Sequence, residues 1–536
     1  MIKRASLSSI SEKYDFYSKK AVSFCAIAAL LIAFLIMFSL SVIAFSETTE
    51  MNMNNAMLEN VEYTQDGIFS GILLTALLFF VILVYRFVVS KISYWYILGV
   101  SLAFVLVFGI AWVLSSQSAP THDSLIVSRA AYYASMGDYS YLTTDYFVRF
   151  PFQLGYIFFT EPLLAFNRAL NPDAPENYIC IEIFNVLCLA ISYFALFMAS
   201  KRMFKREAVL KILPLLYVLA LPPILFCSFT YGNIPGFMFA ALALWMMLEI
   251  KGEKYDWIFA VISALYIGVG VSIKKNGMII FAAMAIVLLL RLFQKRRWTD
   301  LLCLILCAVS VVGIPSTIQK HYEARTGFEF GEGIPMSSWA AMGLNESYIA
   351  PGWYNGSYTV SNFHENDKNP DLAHEASIEE ISERIKIFTE DKEYAKEFFS
   401  KKIKSQWNEP SYQSIWTNQV RGRYKDMGKL ATYVCVEGEK SVKQYMNVFQ
   451  QFVFLLCAAS TLILIRKTKI EYALFPTIII GGFLYHLIFE AKSQYSMVYF
   501  IIMLPLAAVC AEYVFLILKK TALSIFLKLK NKKKIQ

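Results

Sequence analysis

AVSFCAIAALLIAFLIMFSLSVIAF, residues 21–45, decides the fold class of this chain. The stretch contains no charged residue and exceeds the ~20 residues that a helix needs to cross about 30 Å of hydrocarbon. A helix suits lipid because it pairs its own backbone groups. A basic segment from Lys3 to Lys20 precedes the stretch, with no small-residue cleavage signal between them. We therefore predict a retained anchor whose N-terminus is cytoplasmic.

The composition of the whole chain agrees with a membrane protein. Of 536 residues, 57% are hydrophobic and 17% are charged, whereas soluble domains carry about 25% charged residues. The net charge of +9 does not indicate nucleic-acid binding, because Lys and Arg occur in short clusters between apolar runs. The nine cysteines form no CxxC pair, so neither a disulfide framework nor a zinc site is indicated. We expect membrane lipid, and no nucleic acid, as a partner.

Basic clusters between the apolar stretches fix an orientation, because short loops rich in Lys and Arg stay in the cytoplasm. All these clusters fall on one side if twelve stretches span the membrane. The predicted fold is therefore an all-α polytopic protein of the bacterial plasma membrane, with about twelve transmembrane helices and both termini cytoplasmic. The predicted spans are residues 21–45, 68–90, 94–115, 179–200, 208–228, 234–250, 255–273, 277–293, 299–318, 448–466, 472–490 and 496–518.

This threading divides the chain into three parts. The first is an N-terminal transmembrane module with an external juxtamembrane loop, the second is an external soluble domain, and the third holds the last helices and a basic cytoplasmic tail. Their bounds are 1–318 with the loop at 116–178, then 319–447, then 448–536.

Three shorter segments complete the predicted organisation. Residues 46–67 form a small acidic external loop, and 377–405 form a charged run with apolar residues at helical spacing. Segment 154–170 is apolar but is interrupted by Glu161 and Pro162. Because counting it as a span would invert every later loop, we predict that it is re-entrant or interfacial.

Asp123 is the first candidate for chemistry. The residues after it, from Leu125 to Met136, have the spacing of a short amphipathic helix at the outer membrane surface. Asp123 would lie in the first turn of that helix, where an acidic residue also complements the helix dipole. A catalytic role and a helix-start role are therefore both open.

The same loop continues with Gly137-Asp-Tyr and then with a run dense in aromatic residues at 146–155. Arg149 and Gln153 in this run predict a polar pocket at the lipid boundary, although an interfacial aromatic belt would have the same composition. Asp138 either caps a turn or contributes a second carboxylate.

Two short external links carry charged residues. Lys274-Lys275 violates the positive-inside pattern, which indicates an anionic partner such as a lipid phosphate, or else snorkelling to headgroups. The second link reads Glu490-Ala-Lys492-Ser-Gln494-Tyr495, and Lys492 is the expected partner of Glu490. The spans have almost no central charges, which argues against an ion or proton pathway.

Taken in order, these segments resemble the GT-C superfamily of polyprenyl-phosphate-sugar-dependent glycosyltransferases, which contains the protein O-mannosyltransferases and bacterial relatives. The matching features are Asp123 after an early span, Tyr-Phe-x-x-Phe-Pro-x-Gln-x-Gly at 146–155, and the Glu-x-Lys-x-Gln-Tyr at 490–495. Residues 335–344, 351–355 and 406–410 resemble a Gram-positive subgroup of that superfamily. Gln494 stands where Arg is commoner, and the loop has no Asp-x-Asp pair.

The resemblance implies a lipid-phosphate sugar donor and an external acceptor, which would be an envelope glycan, teichoic acid or protein. We expect Asp123 to act as the base, with Asp138 as the next candidate, and Lys274 or Lys275 with Arg129 or Arg149 to hold the phosphate. Glu490, Lys492, Gln494 and Tyr495 would orient the donor beside Gln153. One displacement would invert the anomeric carbon. No metal ligand is assigned, because fixed cations can neutralise a single phosphate, but a divalent metal is possible.

Other classes of protein fit the same hydropathy pattern. A lipid-linked-saccharide transporter or flippase would work without Asp123 and would need alternating access. A polymerase-like or ligase enzyme typically uses Arg- and His-rich external loops, and the chain has only five His. A non-catalytic envelope assembly component is the remaining alternative.

Overall fold

A computed structural model of the chain describes residues 2–53, 59–172, 176–421, 426–466 and 469–535. Helices dominate, as predicted, and the one sheet in these ranges is a two-stranded antiparallel hairpin. The N-terminal apolar stretch lies within a single long helix that leads directly into the hairpin. The first elements are α1 (Ile2–Ser46), β1 (Glu47–Met53), β2 (Glu59–Gln65), α2 (Ile68–Val88) and α3 (Tyr94–Ser116).

The hairpin occupies the segment that we predicted to be a loop. Glu47 pairs with Gln65 and Met53 pairs with Glu59 in an antiparallel register. β1 is mostly buried, and its Thr49 N–H donates a hydrogen bond of 3.1 Å to the carbonyl of Asn408. Tertiary contact with a distant segment therefore stabilises a hairpin that would be marginal if isolated.

The juxtamembrane loop is helical, and its helices are short. Its helices are α4 (His122–Ala134), α5 (Asp145–Arg149) and α6 (Leu154–Leu170). With 17 residues, α6 is about 25 Å long and so falls short of the hydrocarbon thickness. This agrees with the prediction that 154–170 is not a span.

The next seven helices form much of the bundle. Two prolines, Pro222 and Pro223, begin α9, and the pair Glu207–Leu219 and Leu221–Ser228 is bent by 53°. Proline cannot continue the helical hydrogen-bond ladder, which accounts for the break. The helices are α7 (Ile179–Phe204), α8 (Glu207–Leu219), α9 (Leu221–Leu225), α10 (Asn233–Glu249), α11 (Asp256–Ile273), α12 (Gly277–Lys295) and α13 (Trp298–Thr326).

Each of the twelve predicted spans coincides with a helix or a helix pair. Among the described residues, ten helices are long and apolar enough to cross a membrane, and the bent pair makes eleven if it counts as one span. The remaining predicted span, 234–250, corresponds to α10, which has only 17 residues. The predicted all-α polytopic fold is confirmed, and its count of about twelve spans stands beside ten or eleven helices of the described chain that are long and apolar enough, with α10 the short one.

The segment after α13 is a set of short helices packed on one end of the bundle. The predicted boundaries shift here, because α13 continues past residue 318 and α20 begins before residue 448. The predicted charged run 377–405 is divided into two helices, and Asp391 caps the second by accepting a hydrogen bond from Tyr394 N–H. The helices on this end are α14 (Met336–Gly343), α15 (Val360–Glu365), α16 (Pro370–Glu390), α17 (Lys392–Trp407), α18 (Ser414–Arg421) and α19 (Lys429–Thr432). The chain then returns to the bundle with α20 (Glu439–Ile465), α21 (Leu474–Ile488) and α22 (Ser493–Ile535).

The two ends of the bundle differ in character. At one end, which we call the loop end, the hairpin, α4–α6, α14–α19 and the short links meet, as the ion pair of 2.6 Å between Lys404 and Glu47 illustrates. At the other, the basic end, short turns carry most of the Lys and Arg clusters. Contacts there include the Tyr14 hydroxyl on the Phe293 carbonyl at 2.9 Å and the Lys295–Glu471 ion pair at 3.0 Å. The alternation of basic loops thus assigned the segments to common ends.

Candidate functional site

Asp123 lies in the first turn of α4 at the loop end. The start of this helix is capped by Ser124, whose Oγ accepts a hydrogen bond of 3.2 Å from Thr121 N–H. Asp123 is exposed, and within the described part of the chain its side chain forms no hydrogen bond or ion pair. A helix-capping role is therefore filled by another residue, which leaves the Asp123 carboxylate available to a ligand.

Charged and phenolic groups from several elements face Asp123. Its negative charge raises the pKa of Lys274 and of Lys492, and it also raises the pKa of Tyr231. These effects require proximity, so the structure brings Asp123 together with both external links. We call Asp123, Tyr231, Lys274, Glu490, Lys492 and Tyr495 the site cluster.

Lys274 is a cation without a carboxylate partner. It follows α11, is partly buried, and its Nζ lies 4.3 Å from the ring centroid of Tyr231 and 5.2 Å from that of Tyr495. Burial lowers the pKa of Lys274 to about 8, and the charges of Glu490 and Asp123 oppose this shift. No ion pair of Lys274 occurs within the described ranges, so its charge is stabilised by the two aromatic faces and, at longer range, by Glu490 and Asp123.

Lys275 differs from its neighbour. Its side chain is more exposed than that of Lys274. The partial burial that remains lowers the pKa of Lys275, and neither Glu490 nor Asp123 contributes to that shift. The structure thus separates the two lysines, and only Lys274 belongs to the site cluster.

The second link contributes an acid and a base that do not pair with each other. The Glu490 carboxylate accepts a hydrogen bond of 3.1 Å from the Tyr495 hydroxyl, and burial raises its pKa while Lys492 and Lys274 lower it. Lys492 forms its ion pair with Glu59 of β2, at 2.7 Å. The prediction that Lys492 forms its ion pair with Glu490 was therefore wrong, although the two side chains still interact electrostatically.

The aromatic run at 146–155 positions Gln153. Gly155 lies against the backbone of Ser272, where an added side chain would collide with the peptide. This close approach brings the start of α6 onto the end of α11, and the buried Gln153 amide donates a hydrogen bond to the Tyr231 hydroxyl. Gln153 therefore supports the site cluster through Tyr231.

Three other predicted residues lie at the edge of the site or away from it. Arg129 forms an ion pair of 3.1 Å with Glu176. Arg129 lies six residues after Asp123, so its side chain is rotated by about 240° around the axis of α4 relative to that of Asp123. Asp138 is exposed and accepts a hydrogen bond of 2.9 Å from Ser140 N–H, so it caps a turn. Arg149 pairs with Asp145 at 3.1 Å, and its charge reaches Tyr354 at the edge of the site cluster.

A narrow cleft leads from the site cluster into the bundle between α10, α12 and α22. Lys274, Gln494 and Tyr495 line it together with the apolar residues Phe237, Ile280 and Val498. Its cavity volume is only about 30 Å³, roughly the space of one water molecule. A lipid ligand must therefore part these side chains in order to enter.

The segments that resemble the Gram-positive subgroup form a roof over the second link. Gly343 and Gly352 pack so closely on neighbouring backbone that neither position has room for a side chain. The Gly352 carbonyl accepts a hydrogen bond of 2.8 Å from Ala491 N–H. Lys402, which is buried, donates to the carbonyl of Phe489 at 2.9 Å and to that of Gly343.

Further contacts complete this roof. Trp353 donates to Ser405 at 2.8 Å, and the buried Glu409 carboxylate accepts a hydrogen bond of 2.9 Å from Ser493. The three resembling segments are thus assembled in space on the link that carries Glu490 and Lys492.

Sequence reasoning missed Tyr231, Tyr354, Glu59 and Lys402. Tyr231 was visible only as one of 32 tyrosines, and Tyr354 lies in segment 351–355, whose resemblance assigned it no role in the site. Glu59 and Lys402 lie in an acidic and a charged segment where nothing marked them out. The unusual Gly-Trp-Tyr sequence at 352–354 was the available signal for the roof.

The donor set of the site does not match a metal centre. Among the residues that the structure describes, no group of three or more His, Cys, Asp or Glu side chains could hold a metal ion. Asp123 and Glu490 are the two carboxylates of the site cluster, and Lys274 lies in electrostatic range of both. The roles proposed below are therefore assigned to side chains of the described chain.

Comparison with known proteins gives similarity to solved structures alone. No protein-family model and no curated protein sequence match the chain. The crystal structure of the Archaeoglobus fulgidus oligosaccharyltransferase complex with Zn and sulfate is similar over 80% of this chain and 51% of that chain, with a TM-score of 0.39 and 11% identity. The chain thus spans about half the length of that solved structure. At this level of similarity, a function must be argued from the residues of the chain itself.

Proposed function

We propose that the chain is a membrane glycosyltransferase of the GT-C type, which transfers a sugar from a polyprenyl-phosphate donor to an acceptor of the bacterial cell envelope on the external face. The observation that carries this proposal is that the Asp123 carboxylate, which forms no hydrogen bond in the described chain, lies within electrostatic range of the Lys274 ammonium, which lines the cleft. Asp123 and Lys274 are 151 residues apart in the sequence, and each lacks an ion-pair partner in the described chain. A partly buried cation without an ion-pair partner, such as Lys274, costs stability unless a ligand uses it.

The donor would place its phosphate at Lys274 and its hydrocarbon chain along the cleft. Gln494 and Asn276 line the cleft beside Lys274 and can donate hydrogen bonds to phosphate oxygens. Phe237, Ile280 and Val498 continue the cleft as an apolar surface, which suits a polyprenyl chain. Because the cleft is narrow, side chains of α10, α12 or α22 must shift when the donor binds.

The reaction is then a single displacement. An acceptor hydroxyl attacks the anomeric carbon and gives its proton to Asp123, while the bond between that carbon and the phosphate oxygen breaks and its electron pair leaves with the phosphate. Lys274 stabilises the charge that develops on the departing phosphate. Attack from the face opposite the leaving group inverts the anomeric centre. Tyr495 holds Glu490 near the sugar, and Lys492 adds positive potential.

The proposal is tested by looking for both products of the reaction. A deletion strain should lack one sugar of the envelope. The purified full-length protein, given polyprenyl-phosphate sugars and the envelope fraction of that strain, should release free polyprenyl phosphate and restore the sugar. If the protein moves the intact lipid-linked sugar between leaflets of a vesicle without releasing polyprenyl phosphate, it is a flippase. If the gene restores the sugar to the deletion strain while the purified protein transfers none, the protein is an assembly component.

A further inference from the structure

A second cavity lies at the basic end of the bundle, far from the site cluster. It is bounded by α1, α7, α12 and the turns that follow α10 and precede α21. Its volume is about 960 Å³, which is at the upper end of the ~300–1,000 Å³ of typical small-molecule sites. The proposed glycosyl transfer at the loop end does not use this cavity.

The lining of this cavity is strongly cationic. Nine Lys and Arg side chains line it, with Glu471 as the one acidic residue among the lining residues. Three of the nine are partly neutralised, since Arg202 and Lys251 share Glu249, at 3.7 and 3.4 Å, and Lys295 pairs with Glu471 at 3.0 Å. Arg291 forms a buried ion pair of 2.8 Å with Asp300.

Five basic residues remain without a carboxylate within ion-pair distance in the described chain: Lys19, Lys20, Lys205, Arg297 and Lys469. A loop rich in Lys and Arg is ordinary on a cytoplasmic face, but there the side chains extend separately into water. Here helices from distant parts of the chain turn their cations toward one half-open cavity. Like charges gathered in this way repel one another unless an anion fills the space.

The wall of the cavity also has an apolar part. Val22, Ala26, Met203, Leu248 and Ile470 are buried residues that line it. Lys19 and Lys20 lie directly before the uncharged apolar stretch 21–45 of α1. A ligand here would meet cations and apolar surface together, which a small soluble anion would use only in part.

We propose that this cavity binds a phosphate-bearing anion, and that the headgroup of an anionic phospholipid is the source that its apolar wall favours. Basic pockets between transmembrane helices are suited to such headgroups because several ammonium and guanidinium groups can surround the phosphate oxygens. Lys19, Lys20 and Lys205 would contact the headgroup directly, since all three are exposed and form no ion pair. Bound lipid would join α1 to α7.

The test is lipid retention by the purified full-length protein, measured by native mass spectrometry with short-chain phosphatidylglycerol and phosphatidylcholine as probes. The variant K19Q/K20Q/K205Q removes three cations from the cavity. Each basic residue near an anionic surface contributes roughly a five-fold factor, so affinity for phosphatidylglycerol should fall by about 100-fold. The matched control K91Q/K254Q/K520Q removes three exposed lysines that do not line the cavity, and it should bind as the wild type does.

Two further arms separate the alternatives. The variant K19R/K20R/K205R keeps the charges and should keep the affinity. Retained affinity would attribute the loss in the glutamine variant to the missing charges and not to substitution at these positions. Inorganic pyrophosphate should not displace the lipid at equal concentration, and displacement would assign the cavity to a soluble phosphate and overturn the lipid assignment. Equal loss of phosphatidylglycerol in the control variant, or equal binding of phosphatidylcholine by the wild type, would overturn the proposal as a whole.

Discussion

Lys492 forms its ion pair with Glu59 at 2.7 Å and not with Glu490, which lies two residues before it. Both side chains are largely buried, with 20% and 10% of their surface exposed. Gln413 donates a second hydrogen bond to the same Glu59 oxygen at 2.8 Å. The hairpin thus fixes the position of Lys492, and Glu490 remains free to accept from Tyr495 and to face Lys274.

Glu59→Gln should release Lys492 from the hairpin. Lys492 is then expected to turn to Glu490, which would compete with Tyr495 and weaken the negative potential at Lys274. We expect lower thermal stability, by roughly 1–2 kcal/mol for a pair whose burial lies between the surface and the fully buried case, and slower sugar transfer. Glu62→Gln alters an exposed residue of the same strand and is the control. Unchanged transfer and stability in Glu59→Gln would mean that the ion pair does not position Lys492.

The sequence predicted the helical class and the common end of the site segments because both depend on local signals. Apolar length indicates a span, and basic clusters indicate which end a loop occupies. On that basis Asp123, Lys274 and Glu490 were expected to lie near one another. The structure does bring them together, although their roles remain proposals.

Partners that depend on long-range packing could not be predicted in this way. Glu59 meets Lys492 only because β1 pairs with β2 and the hairpin packs on α20 and the end of α17. Two hydrogen bonds illustrate this packing: Asn447 donates to Asp66 at 2.9 Å, and Asn408 donates to the Glu47 carbonyl at 2.7 Å. Arg129 appeared equivalent to Arg149 as a phosphate ligand, but the helical turn directs it to Glu176. No local pattern distinguishes Lys274 from Lys275.

The orientation of the loop end is open to direct measurement. Ser361 is exposed at the loop end and Lys254 is exposed at the basic end. We expect Ser361→Cys to react with a membrane-impermeant thiol reagent in intact cells, above the background of the native cysteines. Lys254→Cys should react only after lysis. The reverse pattern would place the site cluster in the cytoplasm and remove the external acceptor from the proposal.

Lys402 should make the stability of the protein depend on pH. Burial lowers its pKa to about 7, against about 10.4 in an unfolded chain. Between these values the unfolded state binds a proton that the folded state lacks, so this residue makes the folded state more stable as the pH rises, by about 1.4 kcal/mol per unit. Below pH 7 both states are protonated and the contribution is constant.

The measurement compares thermal unfolding of the wild type and Lys402→Met from pH 6 to pH 9. The stability of the wild type relative to the variant should rise above pH 7 and stay level below it. Lys401→Met, at an exposed neighbouring position, should show no such trend. A difference that is independent of pH would mean that Lys402 stays charged in the folded protein.

Lys274 and Lys275 should have unequal effects on donor binding. Lys274→Gln removes the cation of the site cluster and should weaken the binding of a polyprenyl-phosphate sugar by about ten-fold or more, as expected for a charged hydrogen bond. Lys275→Gln should leave donor affinity near that of the wild type. Equal effects of the two changes would favour general attraction to the lipid surface over a defined phosphate site.

The pH dependence of donor binding provides a further prediction for Lys274. Its pKa of about 8 should rise when a phosphate binds, because the phosphate stabilises the ammonium form. Donor affinity should therefore be constant at lower pH and fall by up to ten-fold per unit above pH 8. Lys274→Arg, which stays charged, should bind the donor without this decline. A decline that persists in Lys274→Arg would have to arise from another group.

Asp123→Asn should separate catalysis from structure at the proposed base. The amide keeps the shape of the carboxylate but cannot accept the proton of an acceptor hydroxyl, and general-base assistance is typically worth about 10²–10⁴-fold in rate. Because Ser124 rather than Asp123 caps α4, we expect little change in thermal stability and in donor binding. Single-turnover release of polyprenyl phosphate measures the rate. Asp138→Asn, in the turn that follows the same helix, should transfer sugar at nearly the wild-type rate. If Asp123→Asn remains within a few-fold of the wild type while Asp138→Asn is slow, the base is Asp138 and the site cluster serves only to bind the donor.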